Sequence, residues 1–221
     1  MPEDSLGDSF RERHLARLLI TLYSCGTSVT SLLEGSTRQI DSPAHLQHFD
    51  FWMREPGHLA LALLHLHAAN GLPVSLSVTE ALSRMTDDAQ IDKRRVPASG
   101  SPYRLYADLD DHLSFLVGTG LVTDRPSFNK NQQHQIVLET TGIALVEKIF
   151  AECPAFLWHK AQGELIAAVF PLLEQLDLNA MPYLAPDLTP SLAAVAQLTP
   201  YVLMRAARLG LSLGEIRHVD V

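Results

Sequence analysis

The sequence predicts a mainly α protein carrying one small β-hairpin. Apolar residues recur at helical spacing through most of the 221 positions. One stretch only, Leu121–Leu138, reads as two strands joined by a polar tip. Hydrophobic residues at 47 % against 19 % charged can bury a core, which excludes an intrinsically disordered chain.

From about Phe10 to Tyr23, Leu15, Leu18, Leu19 and Leu22 share one helical face, with Arg11, Arg13 and Arg17 elsewhere. Gly26–Ser42 is rich in Ser, Thr and Gly and reads as a loop or linker. A short amphipathic piece, Ala44–Met53, leads to Pro56, a good first helical residue. The helix from Pro56 to Asn70 is apolar on most sides and should be the most buried, with Asn70-Gly71 suited to a left-handed cap. Ser77-x-x-Glu80 is a capping box for a short helix presenting Val78, Ala81, Leu82 and Met85. Thr86–Gly100 is too hydrophilic for core.

Ser101-Pro102 supplies a cap and first-turn proline for a third helix, which ends at Gly118/Gly120. Its inward face is Leu105, Leu109, Leu113, Leu116 and Val117. Leu121-Val122-Thr123 and Gln135-Ile136-Val137-Leu138 form the hairpin around DRPSFNKNQQ. Thr140 or Thr141 caps a helix with Ile143, Val146, Ile149 and Phe150 inward. Pro154 to Leu209 is helical; Pro171 and Pro200 fall in apolar helical patterns and should kink or break them. MPYLAPDLTP is a connector.

Three helices, a hairpin and a further helix follow one another over residues 56–150. Leu109-Asp-Asp-His-Leu-Ser-Phe-Leu-Val-Gly-Thr-Gly-Leu-Val resembles the recognition helix of a winged helix-turn-helix domain entering its first wing strand. Ile136-Val-Leu-Glu-Thr-Thr-Gly-Ile-Ala-Leu is similar to the second wing strand and the start of the next helix. Gly120 would permit the tight reversal, and Gly142 would sit where a side chain crowds the helix against the wing. The resemblance implies bacterial transcriptional regulators, whose added terminal helices commonly dimerise. The long insert between the second and third helices is also similar to winged-helix subunits of bacterial condensins. The expected organisation is N-terminal helices and linker at 1–55, a winged helix-turn-helix at 56–150, and a C-terminal helical dimerisation region at 151–221.

The formal charge of −8 argues against binding nucleic acid or an anionic membrane by bulk electrostatics. Residues 89–134 are an island of relative positive charge, with six Lys/Arg against five Asp/Glu, between two segments of net −5. The expected function is a non-enzymatic DNA-binding transcriptional regulator, acting as a homodimer. Its DNA contacts would be Lys93, Arg94, Arg95, Arg104, Arg125 and Lys130, with Asn129, Asn131, Gln132 and Gln133 as polar donors at the tip. The outward face of the third helix, however, offers Arg104, Ala107, Asp108, Asp111, Ser114 and Phe115. Asp108, Asp110 and Asp111 depart from the family pattern, because a phosphate wall repels carboxylates. The alternative is therefore a protein-docking or accessory subunit of a condensin-like complex, with Phe115 as an anchor for a protein partner. The Lys93–Arg95 run can equally be a solvated loop, and Phe115 can simply pack on the insert.

No enzyme, cofactor or metal is expected. The sequence has no nucleophile elbow, phosphate loop or dinucleotide fingerprint. His45-x-x-His48 and His65-x-His67 lack the spacing of a zinc site, and adjacent Asp110 and Asp111 diverge on a helix. Cys25 and Cys153, 128 positions apart, form no disulfide framework and read as structural thiols. No signal peptide or membrane span is evident, so a soluble, cytoplasmic protein is expected. Ala167, Ala168, Ala193, Ala194, Ala196, Ala206 and Ala207 would let C-terminal helices approach closely across a dimer. The same helices could instead pack on each other within one chain.

Overall fold

The computed structural model describes residues 4–31, 35–69, 71–73, 76–86, 104–126, 134–174 and 198–212. It is mainly helical, with a small four-stranded antiparallel sheet that includes the expected hairpin. The chain divides into two compact units: Met1–Met53 with Tyr103–Ala167, and Arg54–Pro102 with Ala168–Val221. The segment 56–150 is thus shared between the two, and so is 151–221.

The first unit opens with α1 (Asp4–Cys25), longer than its apolar stripe alone indicates. Leu18, Leu19 and Leu22 are buried as expected, joined by Ile20. Each buried side chain of this size contributes about 1.5–3 kcal/mol relative to exposure. Arg17 departs from the sequence reading. It is buried, and its guanidinium lies 3.0 Å from the Asp50 carboxylate.

The segment read as a linker is instead two strands, β1 (Thr27–Ser31) and β2 (Gly35–Ile40). Thr suits strands as well as loops, and β2 finds its inner partner about a hundred residues away, in β4 (His134–Leu138). The sheet order is β1-β2-β4-β3, where β3 is Val122–Pro126. Because β4 is an inner strand, Ile136, Val137 and Leu138 are all buried. Successive side chains point to opposite faces, so both faces of β4 are covered there.

Further α-helices of this unit are α2 (Pro43–Arg54), α5 (Arg104–Gly118), α6 (Thr140–Glu152) and the first part of α7 (Leu157–Glu174). Helix α1 packs against α5, α6, β2 and β4. On α5, Leu109 and Leu116 are buried as expected, whereas Val117 is exposed. Its neighbour Leu116 takes the inward position, and one step on a helix turns the next side chain by about 100°.

In the second unit, α3 (Pro56–Ala68) packs against both α4 (Val78–Thr86) and α8 (Leu198–Arg208). Helix α3 buries Leu59 through Leu64 without interruption, which explains its apolar surround. The α4 stripe Val78, Ala81, Leu82 and Met85 is buried, and the Glu80 amide donates to Ser77 Oγ at 3.3 Å.

Neither marked proline breaks its helix. Helix α7 continues through Pro171 to Glu174. Pro200 stands in the first turn of α8, where its missing N–H has no helical partner to lose. Ala206 is buried, Ala168 and Ala207 are exposed, and Ala193, Ala194, Ala196 and the MPYLAPDLTP connector lie outside the described residues. Among the described residues, no helix is long and apolar enough to cross a membrane.

Candidate functional site

The helix–hairpin–helix segment of the first unit is built tightly. After α5 the chain reverses at Gly120, whose φ of +71° suits glycine. Val122 then pairs with Leu138, and the ladder runs out to Pro126 opposite His134. A Cβ added at Gly142 would stand 2.5 Å from Leu138 Cδ1 and 2.6 Å from the Leu121 carbonyl oxygen. That crowding is the role the sequence assigned to this glycine.

Arg125 is the one expected contact residue whose side chain is described. It does not face solvent as an uncommitted cation. Its Nη2 donates to Glu139 Oε1 at 2.7 Å, and its Nε donates to Thr123 Oγ1 at 3.1 Å. The Thr123 hydroxyl donates to the same Glu139 carboxylate. Arg125 is therefore locally neutralised by Glu139. The Glu139 carboxylate sits just beyond β4, next to the start of α6, so the ladder brings it across from β3.

Arg104 is the first residue of α5, and its side chain lies outside the described set. Lys93, Arg94, Arg95, Asn129, Lys130, Asn131, Gln132 and Gln133 lie outside the described residues altogether. At the described end of the ladder, His134 Nδ1 and Asp124 Oδ1 stand 2.9 Å apart in an exposed position, where such a pair contributes little.

The solvent side of α5 presents Asp110, Asp111, Ser114, Phe115 and Val117, all exposed. Phe115 is 42 % exposed and Val117 38 %. The Arg11 guanidinium lies over the Phe115 ring at 4.6 Å, and the His14 ring stacks on His112 at 5.2 Å. These two contacts, three residues apart on each helix, run α1 and α5 antiparallel. Below them, Arg17 Nη2 stands 3.3 Å from His14 Nδ1 and Arg17 Nε donates to Asp50 at 3.1 Å.

Arg11 is thus a cation of this surface that sequence spacing did not reveal. Nothing local in α1 announces which helix it will meet. Among the described residues the surface that results is amphipathic: Asp110 and Asp111 beside Phe115 and Val117, with Arg11 at its margin.

The thiols follow a different logic. Cys25 donates its S–H to the Gly163 carbonyl at 3.4 Å, where α1 closely approaches α7. Burial pushes this thiol well above its ordinary range, which disfavours the thiolate that nucleophilic or redox chemistry requires. Cys153 is exposed. Among the described residues, no group of three or more His, Cys, Asp or Glu could hold a metal ion. Comparison of the chain with protein-family models, curated proteins and solved structures finds no match.

Proposed function

We propose that the protein is a non-enzymatic docking subunit of a multiprotein assembly, using the solvent side of α5 to hold a basic, amphipathic segment of a partner protein. The observation that carries this reading is the exposure of Phe115 and Val117 beside Asp110 and Asp111. Exposed aromatics anchor interfaces, and the adjoining carboxylates complement a cationic partner. The same carboxylates oppose a phosphate backbone. The resemblance to winged-helix condensin subunits points the same way. The test is co-expression with the products of adjacent genes. A stable complex lost on Phe115→Ala and Val117→Glu, with the fold unchanged by circular dichroism, supports docking; a complex indifferent to both substitutions refutes it.

A second reading, a DNA-binding transcription regulator acting as a homodimer, is favoured by the helix–hairpin–helix order. In it Asn129, Lys130, Asn131, Gln132 and Gln133 fall, in sequence, in the link between Pro126 and His134. Lys93, Arg94, Arg95 and Arg104 would add backbone contacts. This reading requires a mobility shift with promoter DNA that collapses as salt rises. Alanine at Lys93, Arg94 and Arg95 together should weaken that shift and flatten its salt dependence. Absence of any shift at low salt removes this reading and leaves the first intact.

A further inference from the structure

We propose that β1 is the pairing edge for a second copy of this chain. Two β1 strands align antiparallel about Val29 and join two four-stranded sheets into one. This inference is independent of whether α5 meets a protein or DNA.

Strand β1 ends the sheet, and among the described residues it pairs with β2 alone. Every other N–H and C=O along Thr27–Ser31 therefore points away from β2, on the side where no described strand pairs. Its side chains are uncovered on both faces: Thr27, Ser28, Val29 and Thr30 are all exposed, Val29 by 37 %.

The two edges of the sheet are treated differently by the sequence. Strand β3 carries Asp124 and Arg125 and ends at Pro126, features that discourage a further strand. Strand β1 has no charge, no proline and three β-branched residues, Thr27, Val29 and Thr30. An edge of that composition is a template for another strand.

The order of residues selects the occupant. Thr27-Ser28-Val29-Thr30-Ser31 is nearly symmetric about its centre. In an antiparallel pair with its two-fold axis at Val29, that residue faces its own copy and Ser28 faces Thr30 twice. Hydroxyl-bearing and β-branched partners directly opposite one another are favourable, and no like charges meet. Such a contact is isologous and closes as a dimer. A foreign peptide added to a sheet edge is read by pockets for alternate side chains. Because Thr27, Ser28, Val29 and Thr30 are all exposed, they offer a foreign side chain little to seat in, so an identical strand is the better fit.

The ladder is short, so a dissociation constant on the order of micromolar is expected for so small an interface. A chain of formal charge −8 repels its copy, so dimerisation should tighten as salt screens that repulsion.

Sedimentation velocity of the full chain across the micromolar range tests the proposal. The native chain should dimerise with concentration. Val29→Lys, and separately Ser28→Lys with Thr30→Lys, should be monomeric, because each places like charges opposite one another at exposed, fold-neutral positions. Ser28→Lys with Thr30→Glu places opposite charges across the axis at both pairs and should restore the dimer. A native chain that stays monomeric, a dimer unaffected by the paired lysines, or a Lys/Glu variant as dissociated as the Lys/Lys variant would each overturn it.

Discussion

Removing the Asp50 carboxylate should be among the most damaging single changes to the first unit. Asp50 is 2 % exposed at its side chain and Arg17 11 %, and their charged atoms are 3.0 Å apart. At an effective dielectric of 20, charges at that separation attract by about 5 kcal/mol, much of it offset by the cost of taking both ions out of water. Asp50→Ala cancels the attraction but leaves the Arg17 charge buried beside His14. The expected loss is about 3–5 kcal/mol, the usual result of removing one member of a buried ion pair. For a chain of this size that corresponds to a melting temperature lowered by roughly 6–20 °C. Both tryptophans, Trp52 and Trp158, belong to the first unit, so urea unfolding followed by tryptophan fluorescence reports on it directly. Arg17→Met with Asp50→Leu removes both charges and should recover much of the loss, giving a large coupling in the double-mutant cycle. A cost below about 1 kcal/mol for Asp50→Ala, or strict additivity of the two single changes, would refute the view that the pair is desolvated and mutually dependent.

Three further outcomes follow from the geometry. Gly142→Ala drives a methyl into the Leu121 carbonyl and the Leu138 side chain, so it should cost about 1–3 kcal/mol in urea unfolding, whereas Thr141→Ala on the exposed neighbouring position should cost well under 1 kcal/mol. Cys153 should react with a thiol reagent at once and Cys25 only on unfolding. Above the ordinary thiol pKa of 9.0 the unfolded chain releases a proton that folded Cys25 retains, so stability contributed by this thiol is present below that pH and falls above it. The native chain should therefore lose up to about 1.4 kcal/mol more per pH unit than Cys25→Ala above that pH, measured by chemical denaturation at alkaline pH. Phe115→Ala and Arg11→Ala should each cost under about 1 kcal/mol and be non-additive, since an exposed cation–π contact is worth about that much; full additivity would separate the two side chains.

The elements set by local chemistry are legible in the sequence alone. The buried stripe of α4 and its Ser77 cap, the near-continuous burial of α3, the hairpin between Val122 and Leu138, and the roles of Gly120 and Gly142 all follow from spacing and residue type. Part of the candidate surface was legible too: Asp111, Ser114 and Phe115 do face outward.

What local pattern could not supply was the partner of each element. Thr27–Ile40 carries the composition of a loop, and it is a pair of strands because β2 pairs with a strand about a hundred residues later. Arg17 carries the spacing of a surface residue on α1, and it is buried because Asp50 of α2 meets it. Arg125 carries the look of a free wing cation, and it is neutralised because the hairpin register and the chain beyond β4 bring Glu139 to it. Helix periodicity and turn preference arise from interactions a few residues long, so one sequence window contains them. Strand pairing and buried ion pairs depend on segments far apart in the chain, and only the folded molecule decides which of them meet.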